Sequence, residues 1–294
     1  MDLYAATVVL HDYADTPEEG ATLVAQAREV LTNRLPWLRA GVVKIRRGPG
    51  RREKNGVLAF GEAPDRLVRE HGTIYAIDLQ MNRDASLYLD THNLRRWLGV
   101  NLRGRTVLNT FAYTGSLGVA ALAGGAAHVV QLDRNPRFLE LAEASCRLNS
   151  LPGPAHECIV GDFFPAIARL KRANRRFDCV IIDPPFFSTT GQGVVDLAKN
   201  SSRLINKVRP LINDGGWLVV VNNALFVSGR DFHDSLAELG ADGYLSLAEL
   251  IPVPADFTGM VPVADVPPSI TDPAPFNHST KIAVLRVRRK TPVP

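Results

Sequence analysis

From about Ser86 onward the chain alternates short apolar runs with helical segments, and the runs stop at Asn or Asp. Arg105–Asn109, His128–Leu132, Glu157–Val160, Phe177–Ile182 and Gly216–Val221 read as strands by their β-branched and apolar content. They end at Asn109, Asp133, Asp162, Asp183 and Asn222 respectively. Runs that are apolar on consecutive positions must bury both faces. That demands a largely parallel sheet with helices on either side. Segments 116–123, 135–149 and 194–209 supply such helices, and 165–170 a shorter one. Leu245–Ile251 and Lys281–Val287 read as the last two strands. Between them, residues 252–277 hold seven prolines and read as a loop.

The first part, residues 1–85, has a different rhythm. Tyr4–Leu10, Gly41–Arg46, Gly56–Phe60 and Thr73–Asp78 read as strands, and Pro17–Leu31 as a helix. The expectation is a small α+β domain, 1–85, that recruits substrate, followed by an α/β domain, 86–294. Its basic loop carries Arg46, Arg47, Arg51, Arg52 and Lys54 around Gly48-Pro49-Gly50, and Lys44 precedes it. Six of the eleven residues 44–54 are basic, so a net charge of +4 becomes local there and could grip phosphates. Solvated charge is the plain alternative. Lys171, Arg172, Arg175 and Arg176 form a second basic group, and Arg286, Arg288, Arg289 and Lys290 could blunt an edge strand.

Three cysteines, Cys146, Cys158 and Cys179, are too few for a disulfide framework or a zinc site. No metal is expected, because His71, His92 and His128 have no ligand spacing. No apolar run approaches the roughly 20 residues of a membrane span. Residues 1–15 hold three acids and no Lys or Arg, unlike a signal peptide. A reducing, cytoplasmic setting is expected.

Ligands of such sheets sit outside the carboxyl ends of the strands. The turn Asn109-Thr-Phe-Ala-Tyr-Thr-Gly-Ser-Leu-Gly118 lies between a strand and a helix, where backbone N–H groups can meet a nucleotide. Asp133 can accept hydrogen bonds from both hydroxyls of a ribose, or it can cap the next helix. Asp162 can accept from an adenine amino group, or likewise cap. Asp183-Pro184-Pro185-Phe186 joins an acceptor carboxylate to a stretch with two donors removed and a ring for stacking. Such a pocket suits a flat nitrogen-bearing ring taken out of a stack.

The chain resembles the class I S-adenosylmethionine-dependent methyltransferases, and among them the cytosine-C5 and guanine-N7 methyltransferases of large-subunit ribosomal RNA. Their N-x-F-x-Y-T-G is met by Asn109, Phe111, Tyr113, Thr114 and Gly115. Their Y/F-L-D-x-R-x-x-R is met by Tyr88–Arg95, with Asp90 and Arg95 matching and His92 in place of Arg. Residues 70–78 and 276–281 extend the likeness to about 40–290, without an evident PUA module. The resemblance implies a seven-stranded Rossmann-like sheet and S-adenosylmethionine as cofactor. It implies cofactor contacts from Asp90, Asn109, Phe111, Tyr113, Thr114, Gly115, Asp133, Asp162 and Asp183, and catalysis at Asp183, Pro184, Pro185 and Phe186. It also implies RNA, ribosomal above all, as partner.

Methylating C5 of a pyrimidine needs a covalent thiolate. The C5 members carry that cysteine after strand five, where this chain has Asn222–Ser228 and no cysteine. Direct in-line transfer to a base nitrogen is the expectation. An NAD-dependent oxidoreductase, a methyltransferase for proteins or small molecules, and a non-catalytic RNA-binding protein remain alternatives on the residues alone.

Overall fold

The computed structural model describes residues 1–190, 193–258 and 271–289. It divides into two compact units, Met1–Tyr88 and Leu89–Pro294.

The first unit contains β1 Asp2–Tyr4, β2 Thr7–Asp12, α1 Pro17–Arg34, β3 Ala40–Ile45, α2 Arg51–Asn55, β4 Val57–Phe60, β5 Leu67–Glu70 and β6 Thr73–Ala76. One sheet has the order β1-β2-β3-β4, and β5-β6 form a separate ribbon. β2 and β3 run parallel, joined through α1; the other pairs are antiparallel. α1 begins where the sequence signals it, with Thr16 accepting from the Glu19 amide and Pro17 in the first turn.

Three readings of this unit change. The single strand 4–10 is a hairpin, folded at Ala5 with φ +52°. Two alanines carry no turn signal. The turn is held from elsewhere, by Asp65 accepting from the Ala6 amide and the Thr7 hydroxyl, both at 2.9 Å. β5 was not anticipated, because Leu67-Val-Arg-Glu70 is short, charged and nearly half exposed at Leu67. The basic loop is partly helical, as α2.

The second unit contains α3 His92–Asn101, β7 Thr106–Thr110, α4 Ser116–Ala123, β8 His128–Asp133, α5 Pro136–Leu148, β9 His156–Val160, α6 Phe163–Arg172, β10 Phe177–Ile182, β11 Phe187–Thr190, β12 Gly193–Asp196, α7 Leu197–Val208, β13 Ile212–Asn222, α8 Gly229–Leu239, β14 Leu245–Leu250, α9 Ala255–Thr258 and β15 Lys281–Val287. Seven strands form one sheet in the order β14-β15-β13-β10-β7-β8-β9. β13, β10, β7, β8 and β9 pair in parallel, and β15 runs antiparallel to both of its neighbours. This is the seven-stranded Rossmann-like sheet that the resemblance implied.

The chain steps outward from β7 to β8 to β9, then returns to place β10 on the other side of β7. That reversal opens a crevice beyond the carboxyl ends of β7 and β10. Leu108, Val130, Leu132, Val180, Ile182 and Val220 form the sheet's contribution to a core completed by Phe163, Ile167, Leu204 and Phe232. Each such side chain contributes about 1.5–3 kcal/mol when fully buried, which fixes the strand ends firmly. α4 is apolar all round, and Leu117–Leu122 are accordingly buried.

The helix expected over 194–209 begins only at Leu197; residues 193–196 pair with 187–190 as a hairpin instead. β13 begins four residues before its apolar run. Within the proline-rich stretch, 255–258 are helical, and 259–270 lie outside the described residues.

Candidate active site

The turn after β7 is built on a buried polar string. Asn109 has no exposure, and its Nδ2 donates to Oε1 of Gln131 on β8 at 2.8 Å. Gln131 Nε2 in turn donates to the carbonyl of Gly115 at 2.9 Å. Asn109, expected at the cofactor, lies beneath the turn and supports it through Gln131. A polar residue on a central strand is buried on both faces, so its partner is the neighbouring strand.

The turn itself is conformationally demanding. Phe111, Tyr113 and Gly115 have φ of +54°, +52° and +75°. Two of the three carry side chains, and such residues persist only where surroundings over-determine them. Here the Ala112 amide donates to the Leu132 carbonyl at 2.9 Å, and the Tyr113 amide to Oδ2 of Asp133 at 2.8 Å. Phe111 stacks on Phe163 with centroids 4.7 Å apart, and Tyr113 packs edge-on to Phe138 at 4.5 Å. Thr114 is buried. A Cβ at Gly118 would lie 2.6 Å from the Gln131 carboxamide, so this glycine lets α4 close on β8. Gln131 and Phe163 are the supports of this turn that sequence reasoning missed. Gln131 lies inside β8 and Phe163 is an apolar ring in the first turn of α6, so neither draws attention as a strand-end acid or amide does.

Asp133 does not cap α5; Asn135 does, accepting from the Arg137 amide at 3.1 Å. Asp133 Oδ1 accepts from the Asn135 amide at 2.9 Å, so backbone donors aim both carboxylate oxygens. Burial raises its pKa, and the backbone bonds oppose that shift. Asp162 stands at the N-cap of α6, yet its side chain makes no capping bond. Its nearest cation is Arg134, with Nε 3.9 Å away.

At the end of β10, Asp183 is half-buried, Pro184 buried, and Pro185 and Phe186 exposed. Burial, and then the negative charge of Asp90, push the Asp183 carboxyl up to about 7. Asp90 lies in a short 3-10 turn before α3 and accepts from the Thr280 hydroxyl at 2.7 Å. Asn222, at the end of neighbouring β13, is buried and accepts from the Ala224 amide at 3.0 Å. Lys281 is also buried, donating to the carbonyls of Ala224 (3.0 Å) and Ser279 (2.6 Å). Burial lowers its pKa to about 8.

The basic loop belongs to the first unit, and its charge is smaller than its composition. Lys44 is buried and donates to the carbonyls of Asn55, Leu79 and Asn82 at 2.5–2.8 Å. Arg46 pairs with Asp84 at 3.2 Å, and Arg47 pairs with Asp15. Among the described residues, Arg51, Arg52 and Lys54 make no ion pair. In the second basic group, Arg175 pairs with Glu157 at 2.8 Å.

Residues 58–268 match the model of the S-adenosylmethionine-dependent methyltransferase family. The chain belongs to that family. Solved structures share the methyltransferase's fold. SMU.776, described as a methyltransferase complexed with SAH, superposes with a TM-score of 0.83 at 22% identity, covering 97% of this chain and 70% of its own. A SAM-dependent methyltransferase from Agrobacterium tumefaciens gives 0.62 at 20% identity, over 85% of this chain and 77% of its own. The tRNA m1G37 methyltransferase of M. jannaschii gives 0.59 at 16% identity, over 98% and 72%. The NAD-dependent reading is set aside by the family.

The residues present suit S-adenosylmethionine. Asp133 presents two oriented acceptors at the end of β8, and the Asp162 carboxylate, which makes no capping bond and has Arg134 beside it, follows β9. Among the described residues, no helix is long and apolar enough to cross a membrane.

Proposed function

We propose that this methyltransferase modifies a base nitrogen in RNA, with ribosomal RNA as the expected substrate. The observation that carries the reading is the make-up of the β10 terminus. An acceptor carboxylate, Asp183, is followed by two residues without an amide donor and then by the exposed ring of Phe186. A base amino group can donate to Asp183 while its face rests on Phe186.

The thiols support nitrogen over C5. Cys179 is fully buried within β10, and burial pushes its pKa upward. Cys146 and Cys158 are pushed up to about 11 and about 12, again chiefly by burial. None is poised as a thiolate nucleophile.

In this reading Asp133 holds the ribose hydroxyls and Asp162 the adenine amino group. Phe111, Tyr113, Thr114 and Gly115 form the turn against which the cofactor lies. Bound S-adenosylmethionine would supply an electrophilic methyl on a sulfonium, leaving as the thioether. Asp183 would orient the acceptor nitrogen by accepting from its N–H and could take the proton released, with positioning and desolvation providing most of the rate. Arg51, Arg52 and Lys54 steer the RNA backbone, with Arg46 and Arg47 partly engaged by their own acids. The M. jannaschii neighbour is named as a tRNA m1G37 methyltransferase, which supports an RNA base as a substrate class on this fold.

The test is transfer of tritiated methyl groups to RNA from cells lacking the protein, followed by nucleoside mass spectrometry. An N-methylated nucleoside from ribosomal RNA is expected. Label in transfer RNA would revise the substrate, and label in 5-methylcytidine, protein or metabolites would overturn the reading.

A further inference from the structure

Beside Phe186 stands a second ring that the chain holds outward. Phe226 is 64% exposed, Phe186 is 42% exposed, and their centroids are 6.5 Å apart at an interplanar angle of 55°. Phe226 lies in the segment after β13, the strand that pairs with β10 through Ile182 and Val220. Both rings therefore follow the carboxyl ends of adjacent inner strands, at the end of the sheet that carries Asp183.

The outward position is built. The Ala224 amide donates to Oδ1 of Asn222 at 3.0 Å, and Lys281 Nζ donates to the Ala224 carbonyl at 3.0 Å. The Thr271 hydroxyl donates to the Leu225 carbonyl at 2.6 Å, and the Val227 amide to the Ala224 carbonyl at 3.3 Å. Backbone on both sides of Phe226 is thus fixed by buried or distant groups. Two of these bonds involve Asn222 and Lys281, fully buried polar residues next to the site. At 6.5 Å and 55° the two rings are tilted and do not stack on one another.

We propose that Phe226 forms the second wall of the acceptor slot, meeting the edge of a target base whose face rests on Phe186 beside the Asp183 carboxylate. This rests on the reading of the acceptor as an RNA base and adds the residue that selects a planar ring. Stacking of this kind tolerates any base, so the slot selects ring shape, and Asp183 selects the amino group.

The experiment is steady-state methyl transfer to RNA from cells lacking the protein, with Phe226→Ala, Phe226→Leu and Phe226→Trp beside wild type. KM for RNA should rise about tenfold in F226A and F226L, with kcat nearly unchanged and cofactor affinity by calorimetry unaltered. F226W should restore the wild-type KM. An unchanged KM in F226A, or rescue by F226L as complete as by F226W, would overturn the wall. Such a result would assign Phe226 to a generic apolar contact, such as a protein partner. Failure of the wild type to label RNA would overturn the base reading itself, and the wall with it.

Discussion

The Thr280 hydroxyl donates to the Asp90 carboxylate at 2.7 Å, joining the start of the second unit to a residue just before its last strand. Asp90 is thereby held where its charge bears on Asp183. Burial and then Asp90 raise the Asp183 carboxyl to about 7, so its acceptor form gains population as pH rises through neutrality. kcat/KM should therefore climb across about pH 7. Asp90→Asn removes the opposing charge and should move that climb to lower pH. A profile of unchanged midpoint would remove the coupling. Stability has the opposite sign. A carboxyl raised above its unfolded value of about 3.9 contributes stability at low pH that is lost as pH rises through about 7.

Asp133→Ala removes both oriented acceptors at the end of β8. Hydrogen bonds to a charged group contribute about 1.5–3 kcal/mol, so cofactor affinity should fall about ten- to hundredfold. Isothermal calorimetry with S-adenosylmethionine measures it, and an unaltered Kd would end the ribose role.

Gly118→Ala places a Cβ about 2.6 Å from a carboxamide that Asn109 and Gly115 already fix. Overpacking of a fixed buried group costs about 1–3 kcal/mol. Urea unfolding should show that loss, with weaker cofactor binding because the turn rests on Gln131.

Lys44→Met leaves three carbonyls without their donor, which should destabilise the first unit by at least about 2 kcal/mol. Burial, then Arg46, lowers the Lys44 pKa to about 8. Native protein thus sheds the proton before the unfolded chain does, and stability rises with pH between about 8 and about 10.4. That rise should be smaller in the Met variant, as equilibrium unfolding at several pH values would show.

Arg51→Ala with Arg52→Ala removes two of the unpaired cations of α2. The slope of log affinity for RNA against log salt should flatten by about 0.7 for each phosphate that these arginines neutralise. An identical slope would make α2 solvated surface only.

Local pattern settled much of this protein. Apolar runs closed by Asn109, Asp133, Asp162, Asp183 and Asn222 define five parallel strands. Thr16-Pro17 and Asn135-Pro136 mark helix starts, because caps and proline act within one turn. The place of Asp133, Asp162 and Asp183 just at or beyond the carboxyl ends of β8, β9 and β10 was legible for the same reason.

Tertiary structure alone decided which polar residues face inward. Asn109, expected at the cofactor, and Lys44, which precedes the basic loop, are both fully buried. Their partners, Gln131 in one case and the carbonyls of Asn55, Leu79 and Asn82 in the other, come from elsewhere in the chain. Ala5 turns left-handed beside the Asp65 that holds its turn, and Phe226 faces outward because Asn222, Thr271 and Lys281 hold its backbone. A residue's neighbours along the chain set its propensity. Whether a buried polar group is satisfied, and hence which way its side chain points, depends on atoms that only folding brings within hydrogen-bond reach.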